Sequence, residues 1–209
     1  ELKPEITAPG GSIYSVFGET PQGGGSDKYE TMSGTSMAAP QVSGMAALVA
    51  QYIRENNLAE KTGMTPRHLA QSLLMSTAVP MLDGESGSYY PILQQGAGLG
   101  NVGAAVNADS YITMDENATK SFADGKVKVE LGDDPDRTGV YNFSFNIHNL
   151  EDTDKAFALS ADFFTQQVFE DYANDKKNDQ QTAFYMDTKT VSLPVNVTWE
   201  VDGKTLEPS

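Results

Sequence analysis

Residues 32–44 read MSGTSMAAPQVSG and are the most informative stretch of the chain. A serine, Ser36, stands here at the start of an apolar helical pattern, with small residues around it. The first N–H groups of a helix have no intrahelical acceptor, and the helix dipole favours negative charge there. The Ser36 amide is therefore well placed to stabilise an oxyanion, while Gly34, Ala38 and Ala39 would let a substrate backbone approach closely.

The helix after Ser36 is predicted from the spacing of its apolar residues. Between residues 38 and 53 such side chains recur every three or four positions, at Val42, Met45, Ala46, Val49 and Ile53. One face then packs inward, and we expect the helix to be mostly buried. Pro40 is expected in the first turn, where its missing N–H would have had no intrahelical partner.

Two further helices are indicated by their capping residues. Thr65 and Pro66 suit the N-cap and first positions of a helix that ends before Pro80. Asn101 suits the N-cap of a short helix over residues 102–106.

Three stretches of the sequence resemble one protein family. GTSMAAP at residues 34–40 is similar to the nucleophile motif of the subtilisin-like serine proteases, or subtilases, and KPEITAPG at 3–10 resembles the strand and turn before it. QGAG at 95–98 resembles the end of the same catalytic domain. The resemblance implies that residues 1–110 are the C-terminal portion of an α/β, three-layer domain with a parallel sheet, incomplete here. It implies that Ser36 is the nucleophile and not merely a helix cap.

The partners that Ser36 would need are not among the residues before it. In subtilases the triad follows the chain order Asp, His, Ser, whereas the 35 residues before Ser36 hold no His. We expect the family's Asp, His and oxyanion-hole Asn to lie upstream of Glu1, so that this chain is an inactive fragment on its own. Gln41 replaces the His of many family members, at a position that is not expected to do chemistry.

Two histidines, His68 and His148, lie after Ser36. A Ser-before-His order would suit an esterase of the α/β-hydrolase type, but its Gly-x-Ser-x-Gly elbow needs glycine where Ala38 stands. Both histidines are expected to be surface residues rather than the base, because nothing near either of them resembles a catalytic setting.

Residues 111–209 change from helical to strand periodicity. Apolar and polar residues alternate over 140–148, 157–163 and 191–201, which predicts half-buried strands. Pro194 would place the last of these strands at a sheet edge. The pattern predicts an all-β antiparallel sandwich. It resembles the fibronectin type III-like module that follows the catalytic domain in cell-envelope proteinases of Gram-positive bacteria.

Composition excludes several classes of function. The net charge of −15, divided as −5 in residues 1–110 and −10 in 111–209, argues against nucleic acid as a partner. The chain has no cysteine and no apolar run long enough to span a membrane. Asp133, Asp134 and Asp136 lack the spacing of a calcium loop, so an acidic turn is predicted and no cofactor is indicated. A structural calcium in the intact protein is left open.

The sequence thus predicts part of a bacterial serine endopeptidase, secreted or bound to the cell wall, that cleaves proteins or peptides. Its partners would be those substrates and the upstream part of the same protease. The alternative is a non-catalytic surface-binding or structural module of a larger extracellular protein. Because an interrupted parallel sheet exposes strand edges, the isolated chain is also predicted to self-associate.

Overall fold

A computed structural model describes residues 3–17, 29–114, 125–171 and 183–206. Contacts divide the chain into two units: Glu1–Met81 with Ile92–Ala156, and Leu82–Pro91 with Phe157–Ser209. The domain boundary expected at residue 110 stays a prediction.

The first unit contains helices and short antiparallel strand pairs. Its helices are α1 Thr35–Glu55, α2 Leu58–Thr62, α3 Pro66–Ser76, α4 Ile92–Gln95 and α5 Val102–Val106. Its strands are β1 Ile13–Val16, β2 Tyr29–Met32, β3 Ser110–Met114 and β4 Phe145–Asn149, paired as β1–β2 and β3–β4.

The predicted caps of α3 and α5 are confirmed. The Thr65 hydroxyl oxygen accepts a hydrogen bond of 3.2 Å from the His68 N–H, and Pro66 is the first helical residue. The Asn101 side-chain oxygen accepts one of 3.0 Å from the Ala104 N–H. Each cap satisfies a backbone donor that the helix itself leaves unpaired.

Helix α1 differs from the prediction in two respects. It begins at Thr35, so Pro40 is its sixth residue and lies inside the helix, not in the first turn. In an uninterrupted helix the N–H of residue 40 would donate to the Ser36 carbonyl. Because proline has no N–H, α1 lacks this hydrogen bond. The helix is also not mostly buried: only Val49 and Ile53 are, because α2, α3 and α5 cover one side of it in the described structure.

The core of the first unit lies between α1, α2, α3, α5 and β3. Its fully enclosed side chains include Val49 and Ile53 from α1 and Leu69 and Leu73 from α3, with Tyr111 of β3 packed against them. The inward direction of the α1 apolar face is thus confirmed. On the other side of α1, Leu48 is 56% exposed. Self-association of the isolated chain stays a prediction.

Residues 3–10 pair with the part of the chain near residue 99. Thr7 and Leu99 form a parallel bridge, in which the Thr7 N–H donates to the Gly98 carbonyl at 2.8 Å and the Gly100 N–H donates to the Thr7 carbonyl at 2.9 Å. In the described residues this bridge is the only parallel pairing. The wider parallel sheet stays a prediction.

The three strands predicted from alternation are shorter or absent. In 140–148 only Phe145 onward is paired, and Tyr141 and Phe143 are each 48% exposed. Residues 157–163 are not a strand, since pairing begins where the Leu193 N–H meets the Phe163 carbonyl. Alternation marks side-chain environment, but a strand also needs a backbone partner.

The second unit contains two antiparallel pairs, β5 Phe164–Asp171 with β6 Ala183–Ser192, and β7 Glu200–Val201 with β8 Lys204–Thr205. A single strand over 191–201 is wrong: β6 ends two residues before Pro194, which has no N–H to continue a ladder. The antiparallel pairing agrees with a β-rich module, and the sandwich stays a prediction. No described helix is both long and apolar enough to cross a membrane.

Candidate active site

Ser36 is the second residue of α1 and is exposed. At this position its N–H has no acceptor within the helix, whereas the Met37 N–H already bonds the Gly34 carbonyl at 3.0 Å. Among the described residues the Ser36 hydroxyl makes no hydrogen bond. The hydroxyl and the amide of one residue thus both lie at the positive end of a 21-residue helix.

The turn into the helix depends on Gly34. Its φ of 155° and ψ of 170° lie in a region that only glycine adopts readily. This conformation lets Gly34 act as N-cap while its carbonyl accepts from Met37 and, at 3.3 Å, from Ala38. A side chain at position 34 would strain the backbone two residues before Ser36.

Residues 9–12 hold this turn in place through three hydrogen bonds. The Gly34 N–H donates to the Gly10 carbonyl at 2.7 Å. The Ser12 N–H donates to the Ser33 hydroxyl oxygen at 2.8 Å, and the Gln41 side-chain amide donates to the Pro9 carbonyl at 2.6 Å. Residues 9–12 therefore form hydrogen bonds with Ser33 and Gly34, just before α1, and with Gln41 in its second turn.

The two histidines, predicted to be surface residues rather than the base, are neither buried nor fully exposed. The ring of His148 stacks on Tyr111 with centroids 4.6 Å apart, and its Nε2 lies 2.7 Å from the Thr113 hydroxyl oxygen. Burial lowers the pKa of His148. Within the described structure neither imidazole bonds Ser36.

The Asp134 carboxylate stabilises the acidic turn at 133–136. Its carboxylate accepts from the Gly139 N–H at 2.6 Å and from the Thr138 hydroxyl at 3.2 Å. These hydrogen bonds lower the pKa of Asp134. No cluster of three or more metal-ligating side chains occurs in the parts of the chain that the structure describes.

Comparison with known proteins identifies the family of this site. The model of the subtilase family matches residues 1–101, which include Ser36 and all three bonds around it. Residues 1–101 are a subtilase segment. The resemblance read from the GTSMAAP stretch is thereby confirmed.

Two similar proteins extend the comparison beyond the subtilase segment. The C5a peptidase of Streptococcus pyogenes is 32% identical over 168 residues, which cover 80% of this chain and 13% of that protein. The PII-type proteinase of Lactococcus lactis subsp. cremoris is 32% identical over 155 residues, covering 69% of this chain and 7% of that protein. Both matches are longer than residues 1–101, so part of each similarity lies after the subtilase segment. The chain spans a small part of either relative.

Sequence reasoning missed the residues that hold the subtilase turn. Local sequence patterns give no reason to expect that Gly10 bonds Gly34 or that Gln41 bonds Pro9. Their partners lie 24 and 32 residues away in sequence, and periodicity cannot reveal such contacts. The one available signal was the departure at Gln41 from the histidine of many subtilases.

Proposed function

We propose that the protein containing this chain is a serine endopeptidase in which Ser36 is the acylating nucleophile. The observation that carries the proposal is the exposed Ser36 at the N-terminus of α1, in a segment of subtilase sequence. The His and Asp of the triad, with a second oxyanion donor, come from the region upstream of Glu1. The family's chain order and the lack of His before Ser36 support this placement.

The chemistry follows from the position of Ser36. The upstream His accepts the hydroxyl proton as Oγ attacks the scissile carbonyl, and negative charge develops on the carbonyl oxygen. The Ser36 N–H donates to that oxyanion, and the start of α1 adds its dipole. As the intermediate collapses, the His gives the hydroxyl proton to the leaving amine, and an acyl-enzyme remains on Ser36. Water, losing its proton to the same His, then hydrolyses the acyl-enzyme and restores the serine hydroxyl.

The substrates of the complete enzyme are proteins or peptides, as expected for a subtilase. We also propose an extracellular location, secreted or bound to the bacterial cell wall, and a fibronectin type III-like sandwich in the strand-rich residues 111–209. The similarity to a C5a peptidase and a PII-type proteinase supports a proteinase as the parent protein. The strongly acidic second half agrees with a well-solvated accessory module.

The decisive test is Ser36→Ala in the complete protein, with peptide hydrolysis as the measurement. Loss of the triad serine removes covalent catalysis, so kcat should fall by about 10⁶-fold. The matched control is Ser43→Ala, which removes another exposed α1 hydroxyl that bonds only the Ala39 carbonyl of its own helix. Undiminished hydrolysis by Ser36→Ala would refute the proposal and favour the alternative of a non-catalytic binding module.

A further inference from the structure

The side chain of Gln41 links the body of α1 to the segment that holds its first turn. Gln41 lies five residues after Ser36, and its amide nitrogen is 2.6 Å from the Pro9 carbonyl oxygen. The next carbonyl, that of Gly10, accepts from the Gly34 N–H at 2.7 Å. Two adjacent carbonyls of one segment thus accept hydrogen bonds from the N-cap of α1, Gly34, and from Gln41 within α1, on either side of Ser36.

There is little free space between the Pro9–Gly10 backbone and the start of α1. A β-carbon built at Gly10 would lie 2.6 Å from the Gly34 carbonyl oxygen and 3.1 Å from the Ala38 β-carbon. The Pro9–Gly10 backbone is therefore in close contact with the turn as well as bonded to it. If this segment moved, Gly34 would have to move with it. The Gly34 carbonyl accepts hydrogen bonds from the N–H groups of Met37 and Ala38, so the first turn of α1 would move as well.

We infer that Gln41 is a positioning residue for the Ser36 acylation step, acting through the Pro9 carbonyl. By bonding that carbonyl from the second turn of α1, it fixes the segment whose next residue bonds the N-cap, Gly34. The position of the Ser36 amide and hydroxyl relative to a bound carbonyl follows from that N-cap. Oxyanion donors act only when they are held in place, and a misplacement of about 1 Å can cost about a hundredfold in rate.

The inference rests on the proposed function, since positioning matters only if Ser36 reacts. It assigns a role to a position that differs from the His of many subtilases. Both side chains can donate an N–H to a carbonyl. The donor, rather than the identity of the side chain, is then the required feature.

The test compares Gln41→Met with Gln41→His in the complete protein. Methionine has similar length and no charge but cannot donate, so kcat for peptide hydrolysis should fall about ten- to a hundredfold with KM nearly unchanged. Histidine restores a donor and should return most of the lost kcat. Gln51→Ala is the control, because Gln51 lies on the same helix and bonds Glu55, away from Pro9; it should leave kcat and KM unchanged.

Hydrogen exchange separates failure of this inference from failure of the proposed function. In Gln41→Met the amide of Gly34 should exchange faster than in the wild type, whether or not Ser36 is a nucleophile, and in Gln41→His it should be protected again. A wild-type kcat for Gln41→Met, or unchanged exchange in residues 33–36, would overturn the inference alone. Hydrolysis retained by Ser36→Ala would overturn both.

Discussion

Gly10 and Gly34 approach so closely that position 10 has no room for a β-carbon, which would lie 2.6 Å from the Gly34 carbonyl oxygen. Gly10→Ala should therefore push the two segments apart, destabilising this contact by about 1–3 kcal/mol. It should also lower kcat, because Gly34 precedes Ser36 by only two residues. The measurements are kcat and thermal stability of the complete protein.

Gly11→Ala is the matched control for Gly10→Ala. A β-carbon at Gly11 meets nothing within 4 Å in the described structure. This neighbour should retain wild-type activity, with stability unchanged or slightly raised by the loss of chain entropy in the unfolded state. Equal effects of the two substitutions would contradict the close contact at Gly10.

A second prediction concerns the attachment of β3 to α3. The Ser72 side chain is fully buried, and its hydroxyl donates to the Ile112 carbonyl at 2.6 Å, while the Ser76 hydroxyl oxygen accepts from the Ile112 N–H at 2.9 Å. Ser72→Ala would remove a buried donor and should cost about 1–3 kcal/mol. Hydrogen exchange over residues 110–114 should then become faster. Ser43→Ala, which removes an exposed hydroxyl, should leave that exchange as it is.

The sequence predicts well where the signal is local. Thr65 and Asn101 cap helices because their side chains bond an N–H three residues ahead, and apolar spacing identified the inward face of α1. Pro40 lies inside α1 and not in its first turn, a difference that arises because apolar periodicity shows which face packs inward but does not locate the first helical residue, Thr35. The strand predicted over 157–163 is absent, because a strand also needs a partner strand, and this partner can be distant in sequence. The same limit hid the bond between Gln41 and Pro9.

A third prediction follows from the ion pairs of Glu5. Burial opposes ionisation of this carboxyl, but the hydrogen bond from Lys3 and the charge of Lys128, 3.4 Å away, outweigh it and lower the pKa of Glu5 from 4.5 to about 2. A depressed pKa stabilises the fold above the unfolded value, and that stabilisation is lost as pH falls toward the folded value. The wild type should therefore exceed Glu5→Gln in stability near neutral pH, by about 1–3 kcal/mol given partial screening.

Thermal unfolding as a function of pH checks this sign. The difference between wild type and Glu5→Gln should narrow from about pH 4.5 downward and nearly vanish near pH 2. Glu60→Gln is the control, since Glu60 is exposed and forms no ion pair within the described ranges. A difference between wild type and Glu5→Gln that stays constant across this pH range would contradict the role of the ion pairs.

The last prediction concerns the isolated 209-residue chain and a fluorophosphonate probe. Labelling requires a base that takes the Ser36 proton. In the described structure neither histidine bonds Ser36, and the His148 Nε2 already lies 2.7 Å from the Thr113 hydroxyl oxygen. The isolated chain should therefore remain unlabelled, while the complete protein is labelled and its Ser36→Ala variant is not. Ser36-dependent labelling of the isolated chain would mean that a base lies within these residues, and it would favour a hydrolase whose base follows the nucleophile in sequence.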